Sequence, residues 1–402
     1  MINLEMPRKL RAAANQAHQV AAEMLRPISR RYDLAEHDYP RELDMLASLV
    51  DGLNESGQSS GAGAVGVRRK VDSDHGVRNG TNMASVLSIL EMCWGDVGLL
   101  LSMPRQGLGN SAIASLADDE QLSRFKDVWA GMAITEPDCG SDSAAITTTA
   151  VRDGDDYVIN GEKIYVTAGA RCDAVVVWAT LDKAMGRAAI KSFVVRKGTP
   201  GLRVERLEHK LGIRSSDTAT IVLEDCRVPA ANLLGSPDID TSQGFSGVMQ
   251  TFDNTRPLVA SMAVGLARAA LETIRRLLSE SGVEIDYDRP PQTQIAAAAT
   301  YLAMEADWEA AYLLMLEAAW MADNNKPNSL QASMAKAKAG RVCNAVTLRC
   351  VELAGTAGYS ERDLLEKWSR DSKILDIFEG TQQIQQLIVA RRLLGLGSSE
   401  LR

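Results

Sequence analysis

The stretch at 147–181, TTTAVRDGDDYVINGEKIYVTAGARCDAVVVWATL, decides the class of fold. Its β-branched and aromatic runs are short, and Asp-Gly and Asn-Gly pairs separate them. Runs of this kind between turn residues are typical of strands. Asn160-Gly161, which lies between YVI and KIYVT, predicts a two-residue hairpin turn. The similar runs SFVVR and ATIVL follow, so we predict a small antiparallel β-domain over 131–238.

The sequence on both sides of this β-domain has the spacing of amphipathic helices. Residues 1–130 are rich in Ala and Leu, as in MASVLSILEMCWGDVGLLLSM, and predict an N-terminal helical domain. Residues 239–402 predict a helical bundle. Its predicted helices are 244–280, 293–323, 329–355 and 362–395, the last broken at Gly380. A chain of 402 residues exceeds what one hydrophobic core usually supports, and the predicted class is α+β, mainly α.

Composition restricts the partners and the compartment. Lys and Arg number 44 against 52 Asp and Glu, a net charge of −8, which argues against nucleic acid as the main partner. The six cysteines form no C-x-x-C pair and the chain has four histidines, so we expect reduced thiols and no structural metal site. No window approaches 18 apolar residues, so no membrane span is expected. The N-terminal residues suit a folded amphipathic helix better than a transit peptide, and we interpret the protein as cytoplasmic.

Two candidate sites lie in the β-domain. In MAITEPDCGSD, 132–142, a strand end runs into a turn with Gly140 and Ser141, and exposed amides and hydroxyls there suit an anionic or heteroaromatic ligand. In INGEKIYVTAGARCD, 159–173, Tyr165 and Thr167 lie near the end of a strand. An ordinary turn and ordinary packing residues are the alternatives.

Two more candidates lie in the helical bundle. In MQTFDNTRP, 249–257, Arg256 near a helix start can hold a phosphate or a carbonyl, or equally pair with Asp253. In KILDIFEGTQQIQ, 373–385, Glu379 follows an apolar run and precedes Gly380. Burial there would raise the pKa of Glu379 toward neutrality, as a general base needs. Thr381 can cap the next helix, and a solvated helix end is the alternative.

Together these stretches resemble the signatures of the acyl-CoA dehydrogenases. The matching segments are TEPDCGSD, YVTAG, FDNTRP and RDSKILDIFEGTQQIQ, in the family's order and spacing, with LRPISRRYD and DTATIVLEDCRVPAANLLG as weaker matches. The resemblance implies an N-terminal helical domain, a middle antiparallel β-barrel and a C-terminal four-helix bundle, with FAD between the barrel and the bundle.

The resemblance also implies roles for particular residues. Glu379 would remove the α-proton of an acyl-CoA thioester while the β-hydrogen leaves as hydride to the flavin. Some relatives carry the base at the position of Thr255, and Thr cannot serve as one. The implied FAD contacts are Ile134, Thr135, Gly140, Ser141, Tyr165, Thr167, Gly355, Thr381 and Gln383. The implied acyl-CoA contacts are Ser141, Asp253, Arg256 and Gly380.

The family implies partners as well. Electrons would pass to an electron-transfer flavoprotein in fatty acid β-oxidation, and the chain would form a homo-oligomer, a dimer or a tetramer, with a hetero-oligomer as the alternative. The segment SGVEIDYDRPPQTQ, 281–294, lacks the family's Arg-x-x-Phe-Gly, and VELAGTAGY, 351–359, lacks the glutamine and one glycine of the flavin loop. Two alternatives therefore stay open: a flavin monooxygenase or oxidase on the same fold, and a flavin-poor subunit of a two-chain enzyme.

Overall fold

The computed structural model describes residues 6–55, 78–105, 108–239, 246–397 and 400, and for 49–55 and 246–254 it describes the backbone alone. The described fold is mostly helical with a curled sheet in the middle of the chain, which confirms the predicted α+β class. The helices that precede the sheet are α1 Arg8–Val20, α2 Ser29–Leu34, α3 Glu42–Glu55, α4 Thr81–Gly95, α5 Val97–Leu101, α6 Leu108–Leu116 and α7 Asp119–Phe125.

The sheet is mixed. Its strands are β1 Ala130–Ala133, β2 Thr149–Asp153, β3 Asp156–Thr167, β4 Ala174–Thr180, β5 Ile190–Arg196, β6 Leu202–Leu207 and β7 Thr218–Pro229. The strand order is β1-β4-β2-β3-β7-β6, with β5 also on β4. Four pairings are antiparallel as predicted, but β1 and β2 each pair with β4 in parallel. The expectation of a purely antiparallel domain is wrong there, because long connections rather than hairpins join β4 to those two strands.

The predicted hairpin at Asn160-Gly161 is wrong. The β2–β3 hairpin turns one signal earlier, at Gly154-Asp155, where Asp153 pairs with Asp156 and Gly154 has φ 64°. β3 runs on through Asn160-Gly161 with a register shift against β7. The Asn160 side chain accepts a hydrogen bond from the backbone amide of Asp225 at 2.7 Å, so the pair forms a bulge between neighbouring strands.

The C-terminal helices lie close to their predicted positions. They are α8 Ser246–Glu280, α9 Ala296–Asp323, α10 Ser329–Ala354, α11 Thr356–Tyr359, α12 Leu365–Ser372 and α13 Gln382–Leu394. A 3₁₀ segment, Lys373–Asp376, follows α12, and the chain leaves helical geometry before Gly380 as predicted. The boundaries of the three domains stay predictions.

The helix α8 packs against α4, α9 and α10. α4 packs along it, and a side chain at Gly265 would place its Cβ 2.2 Å from the Leu90 carbonyl oxygen, so the glycine permits this close approach. The N-terminal and C-terminal helices thus share one apolar core. Among the described residues, Thr255–Glu280 is long and apolar enough to cross a membrane by composition alone (mean hydropathy 1.3), and 72 % of that window is buried in the fold. That burial is typical of a core helix.

The helix α12 joins the helical core to the sheet. Lys367, 1 % exposed, lies between the carboxylates of Asp96 at 2.7 Å and Asp371 at 2.5 Å. Asp371 also accepts a hydrogen bond from the backbone amide of Ile213, in the connection between β6 and β7. These buried charges fix α12, and the segment that follows it, against both neighbouring parts of the molecule.

A second contact joins the N-terminal helices to the sheet. Glu36 pairs with His209 at 3.0 Å and accepts the backbone amide of Lys210 at 2.8 Å. His37 lies beside them, with possible ligand atoms of the three side chains within 4.8 Å of one another. Lys210 and Arg171 place positive charge beside His37, and burial lowers the pKa of that histidine. These side chains join the segment that follows α2 to the connection between β6 and β7.

Candidate active site

The predicted base lies in a tight turn between the 3₁₀ segment and α13. Glu379 and Gly380 have φ of 57° and 90°, and Thr381 caps α13 by accepting the backbone amide of Ile384. A Cβ at Gly380 would lie 2.5 Å from Nε2 of Gln385 and would displace that side chain, and the positive φ also favours glycine. A glutamate with positive φ is uncommon, and such conformations occur often at functional sites.

The Glu379 carboxylate is half-buried at the junction of α8 and the turn. The hydroxyl of Thr255 donates to its Oε2 at 2.7 Å. Burial raises the pKa of Glu379, whereas the Thr255 hydrogen bond and the charges of Arg256 and Lys336 lower it, and the net shift is upward. A carboxyl group shifted in this direction is suited to accept a proton near neutral pH.

The structure brings the position of Thr255 directly against Glu379. The sequence identified Thr255 only as a place where relatives carry their base, and here it is a hydrogen-bond donor to the carboxylate. Arg256, the next residue, is 2 % exposed, so its charge acts on Glu379 from inside the fold. Asp253, the other candidate in this segment, has a side chain outside the described residues.

Two side chains that the motifs did not identify hold the turn. Nζ of Lys336 donates to the carbonyl oxygen of Gly380 at 2.7 Å. Nε2 of Gln385 donates to the carbonyl oxygens of Glu379 at 3.0 Å and Gly380 at 3.2 Å. Lys336 could have been found from the sequence, since it is a charge on the apolar Ala-rich face of α10.

The two candidate segments of the β-domain lie side by side. The backbone amide of Ile164 donates to the carbonyl of Thr135 at 2.9 Å, and Nζ of Lys163 donates to that of Ile134 at 3.2 Å. Both carbonyls therefore join the strand end of one segment to β3. Tyr165 has φ 57° and an exposed side chain.

The remaining candidates differ in exposure. Thr167 is half-buried beside Tyr165, while Gly140 and Ser141 are exposed in the turn after β1. An exposed aromatic ring, a hydroxyl near the strand end and an exposed turn form a surface suited to a planar heteroaromatic group with polar edges. Gly355 ends α10 with φ 57° and is exposed, as is Gln383 at the start of α13, so both are accessible to a ligand or a second chain.

A buried ion pair that the sequence analysis missed stabilises this strand junction. Glu136 is 3 % exposed and Lys163 is 0 % exposed, and they meet at 2.7 Å. Glu136 also accepts the backbone amides of Thr147 at 2.7 Å and Thr148 at 3.0 Å. Burial alone would raise the pKa of Glu136, but the charge of Lys163 and these hydrogen bonds lower it to about 2. The TEP segment therefore supplies an anchor for β3.

We expect Glu136→Gln to lower the free energy of unfolding by about 3–5 kcal/mol at neutral pH, because it leaves Lys163 buried without its counter-charge. In the wild type the pKa of Glu136 falls from 4.5 unfolded to about 2 folded. The unfolded state then binds more protons between these values, so the stabilisation is complete above about pH 4.5 and is lost toward about pH 2. Urea unfolding at a series of pH values from neutral downward should show the difference in unfolding free energy between variant and wild type becoming smaller. The exposed Glu224→Gln is the control, and a constant difference would contradict the ion pair.

Comparison with known proteins identifies related sequences along most of the chain. Residues 131–226 match the model of the acyl-CoA dehydrogenase middle domain, and residues 242–394 match that of the acyl-CoA dehydrogenase C-terminal domain. The chain is 32 % identical to the mitochondrial short-chain specific acyl-CoA dehydrogenase of Bos taurus, covering 98 % of this chain and 92 % of the relative.

Two further relatives cover nearly the whole chain. The subunit CarC of the caffeyl-CoA reductase-Etf complex of Acetobacterium woodii is 32 % identical, over 92 % of this chain and 98 % of that protein. The solved structure of butyryl-CoA dehydrogenase from Megasphaera elsdenii superposes with a TM-score of 0.81 at 27 % identity, over 98 % of this chain and all of that one.

Proposed function

The chain belongs to the acyl-CoA dehydrogenase family of FAD-dependent oxidoreductases, and from this membership we propose that it oxidises an acyl-CoA thioester to the trans-2-enoyl-CoA. The observation that carries the proposal is Glu379, half-buried, with a raised pKa and a positive φ. A family member without a suitable base would lack this combination.

In the proposed reaction Glu379 removes the α-proton. The Thr255 hydroxyl, which donates to Oε2, would hold the carboxylate in place for this step. FAD, when bound, supplies the acceptor for the hydride that leaves the β-carbon. Gly380, which has no side chain, leaves room for the thioester beside the carboxylate. The thioester oxygen gains negative charge in this step, and a backbone amide directed at it would lower the barrier by about 3–4 kcal/mol.

The donor set of the β-domain fits FAD. The exposed ring of Tyr165, the hydroxyl of Thr167 and the amides of Ile134 and Thr135 would hold the isoalloxazine, with Gly140 and Ser141 next to them. Gly355, Thr381 and Gln383 would take the rest of the cofactor, and Ser141, Asp253, Arg256 and Gly380 the substrate. For Arg256 its burial favours an electrostatic action on Glu379 over a contact to the CoA arm.

We extend the proposal to partners. An electron-transfer flavoprotein as acceptor is supported by the similarity to CarC, a subunit of an Etf complex. A homo-oligomer, a dimer or a tetramer, is supported by apolar side chains exposed on the C-terminal helices, such as Leu348, Leu393 and Leu394. We also propose a cytoplasmic location and a role in fatty acid metabolism. All six cysteines are buried free thiols, which suits a reducing compartment.

The test starts from the visible spectrum of the purified protein. We expect a bound flavin that bleaches when an acyl-CoA is added without oxygen, and turnover with a dye acceptor across a panel of acyl chain lengths. Oxygen consumption coupled to substrate turnover would favour the oxidase or monooxygenase alternative. A colourless protein that also takes up no added FAD would favour the flavin-poor subunit and contradict the proposal.

A further inference from the structure

Lys336 is a buried cation that lies outside the four segments on which the family resemblance rests. Its side chain is 0 % exposed, although lysine is almost never fully buried without a partner. It lies on α10 among the buried Ala332, Ala335 and Ala339. Its Nζ reaches the carbonyl oxygen of Gly380 at 2.7 Å. The side chain therefore connects the third long helix of the bundle to the turn that carries Glu379.

The charges around this cation come from three elements. Asp376 lies on the 3₁₀ segment, Glu379 in the turn, and Arg256 on α8. Burial lowers the pKa of Lys336 to about 8, while Asp376 and Glu379 act to raise it and Arg256 to lower it further. Lys336 is therefore still largely cationic at neutral pH. Among the residues whose side chains the structure describes, Arg256 and Lys336 are in turn the charged groups that act on Glu379.

We propose that Lys336 is a positioning residue for Glu379, holding the turn through the Gly380 carbonyl and stabilising the ionised carboxylate by its charge. The inference rests on the proposed function, since it concerns the same base. Gly380 has φ 90° and no side chain, so its peptide unit would rotate easily without a fixed partner. A rotation there moves the Glu379 carboxylate relative to the substrate.

Gln385 allows the two actions of Lys336 to be separated. It donates to the same Gly380 carbonyl and to that of Glu379, but it carries no charge. Loss of the Gln385 amide removes two hydrogen bonds and no charge, whereas loss of the Lys336 ammonium removes a hydrogen bond and a cation. Only the second change should alter the ionisation of Glu379.

The experiment compares the pH dependence of kcat for Lys336→Met, Lys336→Gln, Lys336→Arg and Gln385→Leu. Removing a cation destabilises the ionised carboxylate and raises the pKa of Glu379. The acidic limb of the profile of kcat against pH should therefore move to higher pH by about one unit in Lys336→Met and Lys336→Gln. At pH values on that limb kcat should fall about tenfold, since the ionised fraction falls tenfold per pH unit. Lys336→Arg should keep the limb in place, and Gln385→Leu should lower kcat without moving it.

The control lies two residues away. Lys338 pairs with Asp307 at 2.6 Å on a different face of α10, so Lys338→Met should match the wild type in kcat and in the acidic limb. Each variant's flavin content and thermal midpoint report its folding. If Lys336→Met does not fold, the same test is made by comparing Lys336→Gln with Lys336→Arg, because the Gln variant loses the charge and the Arg variant keeps it.

A second readout needs no turnover. Infrared difference spectra against pH follow the carboxyl band of Glu379, with Glu379→Gln as the blank. We expect this band to titrate at higher pH in Lys336→Gln than in Lys336→Arg. An unchanged acidic limb together with an unchanged band would overturn the inference. A wild type that oxidises no acyl-CoA would refute the proposed function while the infrared titration still decides the role of Lys336.

Discussion

Glu379→Gln is expected to retain its flavin and to lose turnover by about 10³-fold or more. General-base catalysis contributes about 10²–10⁴-fold, and an α-proton beside a thioester is too weakly acidic to leave without a base. Gln keeps the shape of the side chain and can still accept the Thr255 hydroxyl, which donates to Oε2 in the wild type at 2.7 Å. The loss should therefore fall on kcat, with little change in substrate binding.

The measurement is anaerobic reduction of the flavin by acyl-CoA in a stopped-flow instrument, together with steady-state turnover on a dye acceptor. The exposed Glu352, which pairs with Arg349 on α10, provides the control substitution Glu352→Gln. Flavin reduction by Glu379→Gln at the wild-type rate would place the base elsewhere. Failure of the variant to bind flavin would show instead that the turn is needed for cofactor binding.

Lys367→Met is expected to lower the free energy of unfolding by about 3–5 kcal/mol, the cost of breaking a buried ion pair by removing one partner. Lys367 lies between Asp96 and Asp371, both 1 % exposed or less, and their carboxylates would face each other without a cation. Burial raises the pKa of Asp371 already. The variant can then relieve the repulsion by taking up a proton, so its deficit should shrink as the pH falls.

Urea unfolding at two pH values tests this expectation. Lys373→Met is the matched control, because Lys373 is exposed and lies just beyond the same helix. Flavin content must be equal in the samples, since a bound cofactor stabilises the native state by itself. Equal midpoints for the two variants would show that the charge cluster does not stabilise the fold.

Several elements could be predicted because the signal was local. The long helices of the bundle follow from their apolar spacing, and the break at Gly380 follows from a glycine that comes after an apolar run and before the capping residue Thr381. Thr381 caps α13 as its residue type indicates. The hairpin prediction was wrong because this stretch contains two turn signals and the chain turns at the first. The Asn160 side chain instead accepts a hydrogen bond from Asp225 on the neighbouring strand. A local pattern contains no information on that partner.

The sequence alone determined the class of fold, the family resemblance, and Glu379 as the candidate base, because each depends on short segments and on their order along the chain. Only the tertiary structure decided what surrounds that carboxylate. Thr255 and Lys336 reach the turn from α8 and α10, and Lys163 on β3 meets Glu136 in the turn after β1. The pKa of a buried group depends on charges within a few ångströms, whatever their separation along the chain, so its direction follows from packing.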